Sequence, residues 1–268
     1  MASAGRVGGR RLCSNSGVRE FDAASYGDGM ADVYDQWYAD LEVDEPVAAL
    51  AALAGTGPVL ELGVGTGRLA IPLAARGLAV HGGDASAAMV AVLKAKPGGD
   101  AVHVTVGDMA APEPSGPFSL VFAAVNTFFG AFHRAEDQQA CIHSVAARLA
   151  PGGRFVVEAF VPEPDQSGDG VAVRALGADR VVLTVTVTDV AAQTAHGQFV
   201  ELVDGERVRL RPWAIRWCTP EQLDAMATTA GLQLEHRWGG WRGQPFTVNS
   251  SRHVSVWRQN PDLGWNET

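Results

Sequence analysis

The stretch that most limits what this chain can become is Pro58-Val-Leu-Glu-Leu-Gly-Val-Gly-Thr-Gly-Arg-Leu-Ala-Ile-Pro-Leu73. A short apolar run bounded by Pro and Gly reads as a buried strand, and the apolar positions Leu69, Leu73 and Ala74 read as the helix after it. Gly63, Gly65 and Gly67 form the crossing, where positive φ carries no penalty and a ligand can lie against the main chain. The free amides at the helix start then favour a carboxylate or another anion. A dinucleotide fingerprint would need a last glycine where this chain has Arg68, and a P-loop would need Gly-Lys-Ser/Thr. The pattern predicts a ligand-binding βα turn of another kind, although a tight turn without a ligand uses the same glycines.

Three carboxylates fall within or at the ends of successive strands. Glu61 lies inside the first strand, and a buried carboxylate calls for a cationic or hydroxyl partner. A second strand over 78–80 ends at His81-Gly-Gly-Asp84, and Asp84-Ala85-Ser86 opens a helix carrying Met89. An acid at the tip of the second strand is where a ribose diol is gripped. A third strand over 102–106 ends in Gly107-Asp108-Met109, which offers a carboxylate to an exocyclic amine and a thioether to the face of a base. These groups suit an amino acid, a ribose and an adenine, the parts of S-adenosylmethionine.

Glu61-Leu-Gly-Val-Gly-Thr-Gly-Arg68, Gly83-Asp-Ala-Ser-Ala-Ala-Met89, Gly107-Asp-Met109 and Leu149-Ala-Pro-Gly-Gly-Arg-Phe155 resemble, in order and spacing, the motifs of class I S-adenosylmethionine-dependent methyltransferases. The resemblance runs over residues 20–260. It implies a Rossmann-like doubly wound α/β fold with a seven-stranded sheet and an antiparallel terminal hairpin, binding S-adenosylmethionine. It also implies that Gly63, Gly65 and Gly67 hold the methionine part above Glu61, with Arg68 near its carboxylate or else facing solvent. Asp84 would take the ribose and Asp108 with Met109 the adenine, and Ala85, Met89 and Ala124 would complete the cofactor site.

A length of 268 residues fits one α/β domain with an insertion. The formal net charge of -9 repels phosphates and anionic lipid, so a small molecule is the expected partner, with no nucleic acid and no membrane. No apolar run is long enough to span a bilayer. Cys13, Cys141 and Cys218 lack C-x-x-C spacing, which points away from a disulfide framework or zinc site and towards a reducing, cytoplasmic setting.

Along the chain, residues 1–20 read as a disordered tail. Residues 21–160 are expected to form the cofactor-binding core with an N-terminal lid, 161–217 an inserted antiparallel sheet after a linker over 161–170, 218–260 a terminal helix and hairpin, and 261–268 a tail. The three tyrosines, Tyr26, Tyr34 and Tyr38, all fall in the N-terminal segment. They read either as the packing face of a helix or as phenols closing over the site, and the family resemblance supports a lid in which Tyr26 and Tyr34 meet the acceptor.

A fourth strand over 118–125 is followed by Asn126-Thr-Phe-Phe-Gly-Ala-Phe-His133, which lacks the Pro-Pro-Tyr that amide-modifying relatives carry. Phe128, Phe129 and Phe132 read as an aromatic substrate wall or as core, and His133 is the nearest candidate base. A helix over 136–149 is expected to stop at Pro151-Gly-Gly153, with a fifth strand over 154–160. The insertion alternates with period two over 180–190 and 198–203, and turns at Asp204-Gly205 into 207–217. This sheet could cover the substrate or pair two copies of the chain, with Trp213, Arg216 and Trp217 free to stack on a substrate or to pack on each other. Thr219-Pro220 opens the last helix. The chemistry expected is in-line methyl transfer to a small-molecule amine, of the natural-product or amino-sugar kind. O-methylation of a hydroxyl and a non-methylating role on the same fold are the alternatives.

Overall fold

The computed structural model describes residues 21–113, 115–163 and 169–260, so the expected tails and half of the expected linker lie outside the described residues. Seven strands form one sheet: β1 (Val59–Leu62), β2 (Val80–Asp84), β3 (Val102–Val106), β4 (Phe118–Ala123), β5 (Leu149–Phe160), β10 (Leu232–Trp238) and β11 (Arg252–Gln259). Their order is β10-β11-β5-β4-β1-β2-β3. Parallel pairing links β3, β2, β1, β4 and β5, and β11 pairs antiparallel with both β5 and β10. The order reverses between β1 and β4, and a doubly wound sheet opens its ligand crevice at the carboxyl ends of the strands flanking such a reversal.

Both faces of this sheet are buried. Along β4, Leu120 and Phe122 pack to one side with Val59, Val156 and Leu73, while Val121 and Ala123 pack to the other with Leu60, Phe155 and Trp257. Successive side chains of a strand point to opposite faces, so near-continuous apolar runs are what a sheet covered on both sides requires. The covering helices include α3 (Asp44–Ala54), α4 (Ala70–Ala75), α5 (Ala87–Ala95), α7 (Ala135–Ala146) and α8 (Pro220–Thr229). In α8, Thr219 and Gln222 form a reciprocal capping box with Pro220 at the first helical position, as the sequence predicts.

Several boundaries differ from the sequence reading. The second strand extends through His81-Gly82-Gly83 to Asp84, because Gly82 has no Cβ where Val64 packs onto it; one added there would sit 2.7 Å from Val64. Pro151-Gly152-Gly153 does not stop a helix: α7 ends at Ala146, and these residues form an irregular start to β5, with Gly152 at φ +72°. The register between β4 and β5 shifts there.

A second, antiparallel sheet has the order β6-β7-β8-β9, with β6 (Gly170–Leu176), β7 (Arg180–Asp189), β8 (Thr194–Val203) and β9 (Arg209–Arg216). The sequence reading passed over β6. Packed between this sheet and α5 lies the N-terminal segment, with α1 (Ser25–Met30) and α2 (Tyr34–Trp37). Met30 and Val33 join Met89 of α5 and Val182 and Phe199 of the second sheet in one buried cluster.

Polar contacts hold the segment on three sides. Asp28 accepts a 2.6 Å hydrogen bond from the Ser86 hydroxyl, Asp35 accepts one of 2.7 Å from the Thr66 hydroxyl and pairs with Lys96, and Asp32 pairs with Arg211 of β9. Arg211 also pairs with Glu201, and both side chains are almost fully buried. Hydrogen bonds from Arg211 hold the Asp32 carboxyl below the usual carboxylate range. For Glu201, burial pushes upward but hydrogen bonds from Arg211 and Arg180 outweigh it and hold the group low.

Replacing Arg211 by Met should therefore destabilise the protein by a few kcal/mol in thermal or urea unfolding. The wild-type contribution of the pair is present above the ordinary carboxylate pKa of about 4 and is lost as pH falls through the lowered values. The variant should show a flatter acid limb than the wild type when stability is followed from pH 6 downward.

Candidate functional site

At the carboxyl ends of β1, β2, β3 and β4 lies a cavity of about 290 Å³. Its floor is the glycine turn. Gly63 and Gly65 line it with φ of +67° and +54°, a region that costs residues with a Cβ. A Cβ on Gly63 would also lie 2.2 Å from Thr127, so β1 and the turn after β4 touch backbone to side chain.

The expected free amides of this turn are not free. Gly63 and Val64 both donate to the Gly83 carbonyl, Gly65 donates to the Asp84 carboxylate, and Gly67 donates to Val64. The turn therefore offers a ligand a flat main-chain surface rather than a ring of N–H donors. Gly67 does not line the cavity; a Cβ there would meet Leu93 and Ile71, so this glycine serves the packing of α4 against α5.

Asp84 lines the cavity and accepts from the Gly65 and Ser86 amides, one on each oxygen at 2.8 Å. Burial pushes its carboxyl up despite those bonds. Each oxygen keeps a further acceptor site, which suits a vicinal diol. Ala85 and Met89 stand beside it, and Asp108 and Met109 line the wall below β3. One Asp108 oxygen takes the Ala110 amide, and the other is available.

Glu61 is buried beneath the turn, off the cavity wall. The sequence calls for a partner; the structure supplies the Ala70 amide and the nearby Arg68 charge, yet one carboxyl oxygen has no hydrogen bond. Burial pushes Glu61 up to about 8. Arg68 neither reaches the cavity nor floats in solvent: it is half-buried and donates to the Glu42 carbonyl at 2.8 Å. Ala124 is buried behind the wall.

The turn after β4 corrects the aromatic reading. α6 (Thr127–Gly130) is a single helical turn, so Thr127, Gly130 and Ala131 share the face towards the cavity while Phe128, Phe129 and Phe132 share the opposite face. All three rings are core; Phe128 is fully buried and packs edge-on against Phe132 and Phe155. Phe128 therefore has no access to an acceptor. His133 is exposed and does not line the cavity.

Sequence reasoning missed Val125 and Asn126, which do line it. Both adopt positive φ, 53° and 61°, a strained state for a β-branched residue. Glu158 accepts from the Val125 amide at 2.9 Å, and the Asn126 side-chain oxygen accepts from the Phe160 amide at 2.7 Å. These bonds fix the strained turn where it faces the ligand.

Across the cavity stand Tyr26, Tyr34 and Tyr38, with Trp213 and Ile215 of β9. The Tyr26 and Tyr38 hydroxyls are 3.1 Å apart, and the Tyr34 and Tyr38 rings are 4.7 Å apart between centroids. Burial raises the Tyr26 phenol far above its ordinary value and pushes Tyr34 up to about 12, with the Arg68 charge opposing the latter. At neutral pH both remain protonated hydrogen-bond donors.

A family model described as a methyltransferase domain matches residues 59–153. The chain is 31% identical over 202 residues to the cypemycin N-terminal methyltransferase of a Streptomyces species, spanning 74% of this chain and 81% of that protein. The chain belongs to the S-adenosylmethionine-dependent methyltransferases. Among solved structures, the CcbJ methyltransferase from Streptomyces caelestis is 38% identical and superposes with a TM-score of 0.82 over 90% of this chain and 100% of that one. The sugar N-methyltransferase KedS8 from Streptoalloteichus, at 18% identity, shares the fold with a TM-score of 0.66 over 94% and 100% of the two chains. This methyltransferase takes S-adenosylmethionine as its cofactor, and the residues present fit it: a main-chain floor without Cβ atoms, Asp84 with acceptor sites to spare, the Met89 thioether beside it, and Met109 with the second Asp108 oxygen along the β3 wall. Among the described residues, no helix is long and apolar enough to cross a membrane.

The buried Glu61 gives a test of the site's electrostatics. A carboxyl raised from its ordinary value to about 8 contributes stability that is full below the ordinary value and is lost as pH rises through 8. Glu61→Gln, tested without cofactor, should raise Tm by several degrees at pH 8 and leave it nearly unchanged at pH 4.5. A second check is calorimetry with S-adenosylhomocysteine: Asp84→Ala should weaken binding by about tenfold or more through its lost acceptors.

Proposed function

We propose that this methyltransferase transfers its methyl group to the nitrogen of a small-molecule amine, of the natural-product or amino-sugar class. The observation that carries this reading is the protonation of the groups facing the cavity. Its ionisable lining consists of three tyrosines and two aspartates. Burial raises the Tyr26 and Tyr34 phenols further above neutral pH, and in our reading Asp84 and Asp108 are engaged by the ribose and the adenine rather than by the acceptor. An alcohol needs a base to become a nucleophile, whereas an amine attacks in its neutral form.

When bound, S-adenosylmethionine supplies an electrophilic methyl group on its sulfonium and leaves as S-adenosylhomocysteine. The rest falls to the chain. In our reading Gly63 and Gly65 support the methionine part, Asp84 the ribose, and Asp108 with Met109 the adenine. Tyr26 and Tyr34 direct the acceptor nitrogen towards the methyl and keep water out; orientation of this kind is worth up to ~7–11 kcal/mol. The proton of the alkylated nitrogen leaves to solvent. Consistent with nitrogen as acceptor, the relative at 31% identity is named for methylation of an N-terminus.

The test is the pH dependence of methyl transfer to an amine panel, followed with radiolabelled cofactor. The rise of kcat/KM with pH should track the pKa of each amine and show no fixed inflection near 6.5. His133→Ala should keep full activity, while Tyr34→Phe should lower kcat by about tenfold or more with S-adenosylhomocysteine affinity unchanged. A large loss in His133→Ala at intact cofactor affinity would instead favour a hydroxyl acceptor.

A further inference from the structure

A second cavity, of about 330 Å³, lies on the inner face of the second sheet and shares a wall, Trp213, with the cofactor cavity. Its floor follows from strand register. Thr184, Thr186 and Thr188 lie on one face of β7, about 6.8 Å apart along the strand. The residues opposite them are small where room is needed: Gly170 faces Thr186 across β6, and Gly197 and Ala195 face Thr186 and Thr188 across β8. A Cβ on Gly197 would strike the Trp213 ring at 2.8 Å, so this glycine lets the indole lie over the strand.

The chemistry of the lining is specific. The Thr184 and Thr186 side chains have no hydrogen-bond partner among the described residues, and the Trp213 indole N–H is buried with none. Ile215 and Trp217 complete an apolar wall, and no charged side chain lines the space. Hydroxyls that both donate and accept, facing an aromatic wall, match a neutral ring that carries hydroxyls on its edges and C–H groups on its faces. They match an ion or a purely apolar ring poorly, since either would leave these polar groups unpaired.

We propose that this face is an acceptor subsite for a polyhydroxylated ring of the sugar type, seated on the threonine row, with Trp213 guiding its amine into the cofactor cavity. The subsite rests on the N-methylation reading for its orientation, but its occupancy can be measured apart from turnover. The experiment is calorimetric titration of the full chain, saturated with S-adenosylhomocysteine, with D-glucosamine and with cyclohexylamine at about pH 6, where both amines are protonated and differ in the oxygens of the ring. Glucosamine should bind about tenfold or more tightly than cyclohexylamine. Thr186→Val should remove most of that difference, Thr186→Ser should restore it, and neither should change cyclohexylamine or S-adenosylhomocysteine binding.

Trp213→Phe, which keeps an aromatic ring and loses the N–H, should weaken glucosamine more than it weakens cyclohexylamine. Equal affinity for the two amines, no glucosamine binding at millimolar concentration, or a Thr186→Val protein that binds glucosamine as the wild type does would each overturn the subsite. Selective binding of glucosamine without methyl transfer to either amine would support the subsite and count against the N-methylation reading, so the two failures are distinct.

Discussion

The site depends on how closely the ends of β1 and β2 approach. Two amides of the glycine turn share one carbonyl, that of Gly83, and a third amide caps Asp84. The approach is possible because Gly82 leaves room for Val64 and because Gly63 accepts the methyl of Thr127 where a Cβ would stand. With the Gly63, Val64, Gly65 and Gly67 amides bound internally, these groups are satisfied without a ligand. The carboxylate at the tip of β2 is held by two amides with acceptor capacity left over. One set of bonds therefore closes the turn, orients Asp84 and clears the floor.

The N-terminal segment and the second sheet complete the site from above. They are joined by the Asp32, Arg211 and Glu201 ion pairs and by the packing of Met30, Val33, Val182 and Phe199. Around Trp37, the guanidinium groups of Arg174, Arg180 and Arg211 each lie between 5.2 and 5.5 Å from the ring centroid, within the range of cation–π attraction. Burial under this cover is the largest cause of the raised pKa values of Tyr26 and Tyr34. Structure and chemistry meet there: the cover that packs the phenols also disqualifies them as bases.

Much of the cavity wall around the glycine turn was legible in the sequence, because strand-end acids next to glycines have few structural uses. Asp84, Asp108, Met109 and the Gly63 and Gly65 turn all line the cavity as expected. The acceptor side was less so, for identifiable reasons. In a one-turn helix the phase of the apolar face is not set by the sequence, so the phenylalanines after β4 could be read as wall when Thr127, Gly130 and Ala131 form it. Positive φ at Val125 runs against its residue type, and the Glu158 contact that holds its amide comes from β5, beside β4 in the sheet but distant in sequence. The fate of the turn's amides depends on the Gly83 carbonyl from the next strand, which spacing cannot reveal. A signal that was present and passed over is the set Asp28, Asp32 and Asp35. At intervals of four and three these acids occupy nearby positions on successive turns, and each grips a different element.

Those three aspartates are all exposed, whereas the Ser86, Thr66 and Arg211 groups they hold are buried and only Lys96, the second partner of Asp35, is partly open to water. The cover over the cavity is thus fastened at its rim by electrostatic latches and at its centre by an oily plug. Screening by dissolved ions weakens the former and leaves the latter intact. Rising ionic strength therefore acts on the margin of the cover and leaves the sheet beneath it untouched.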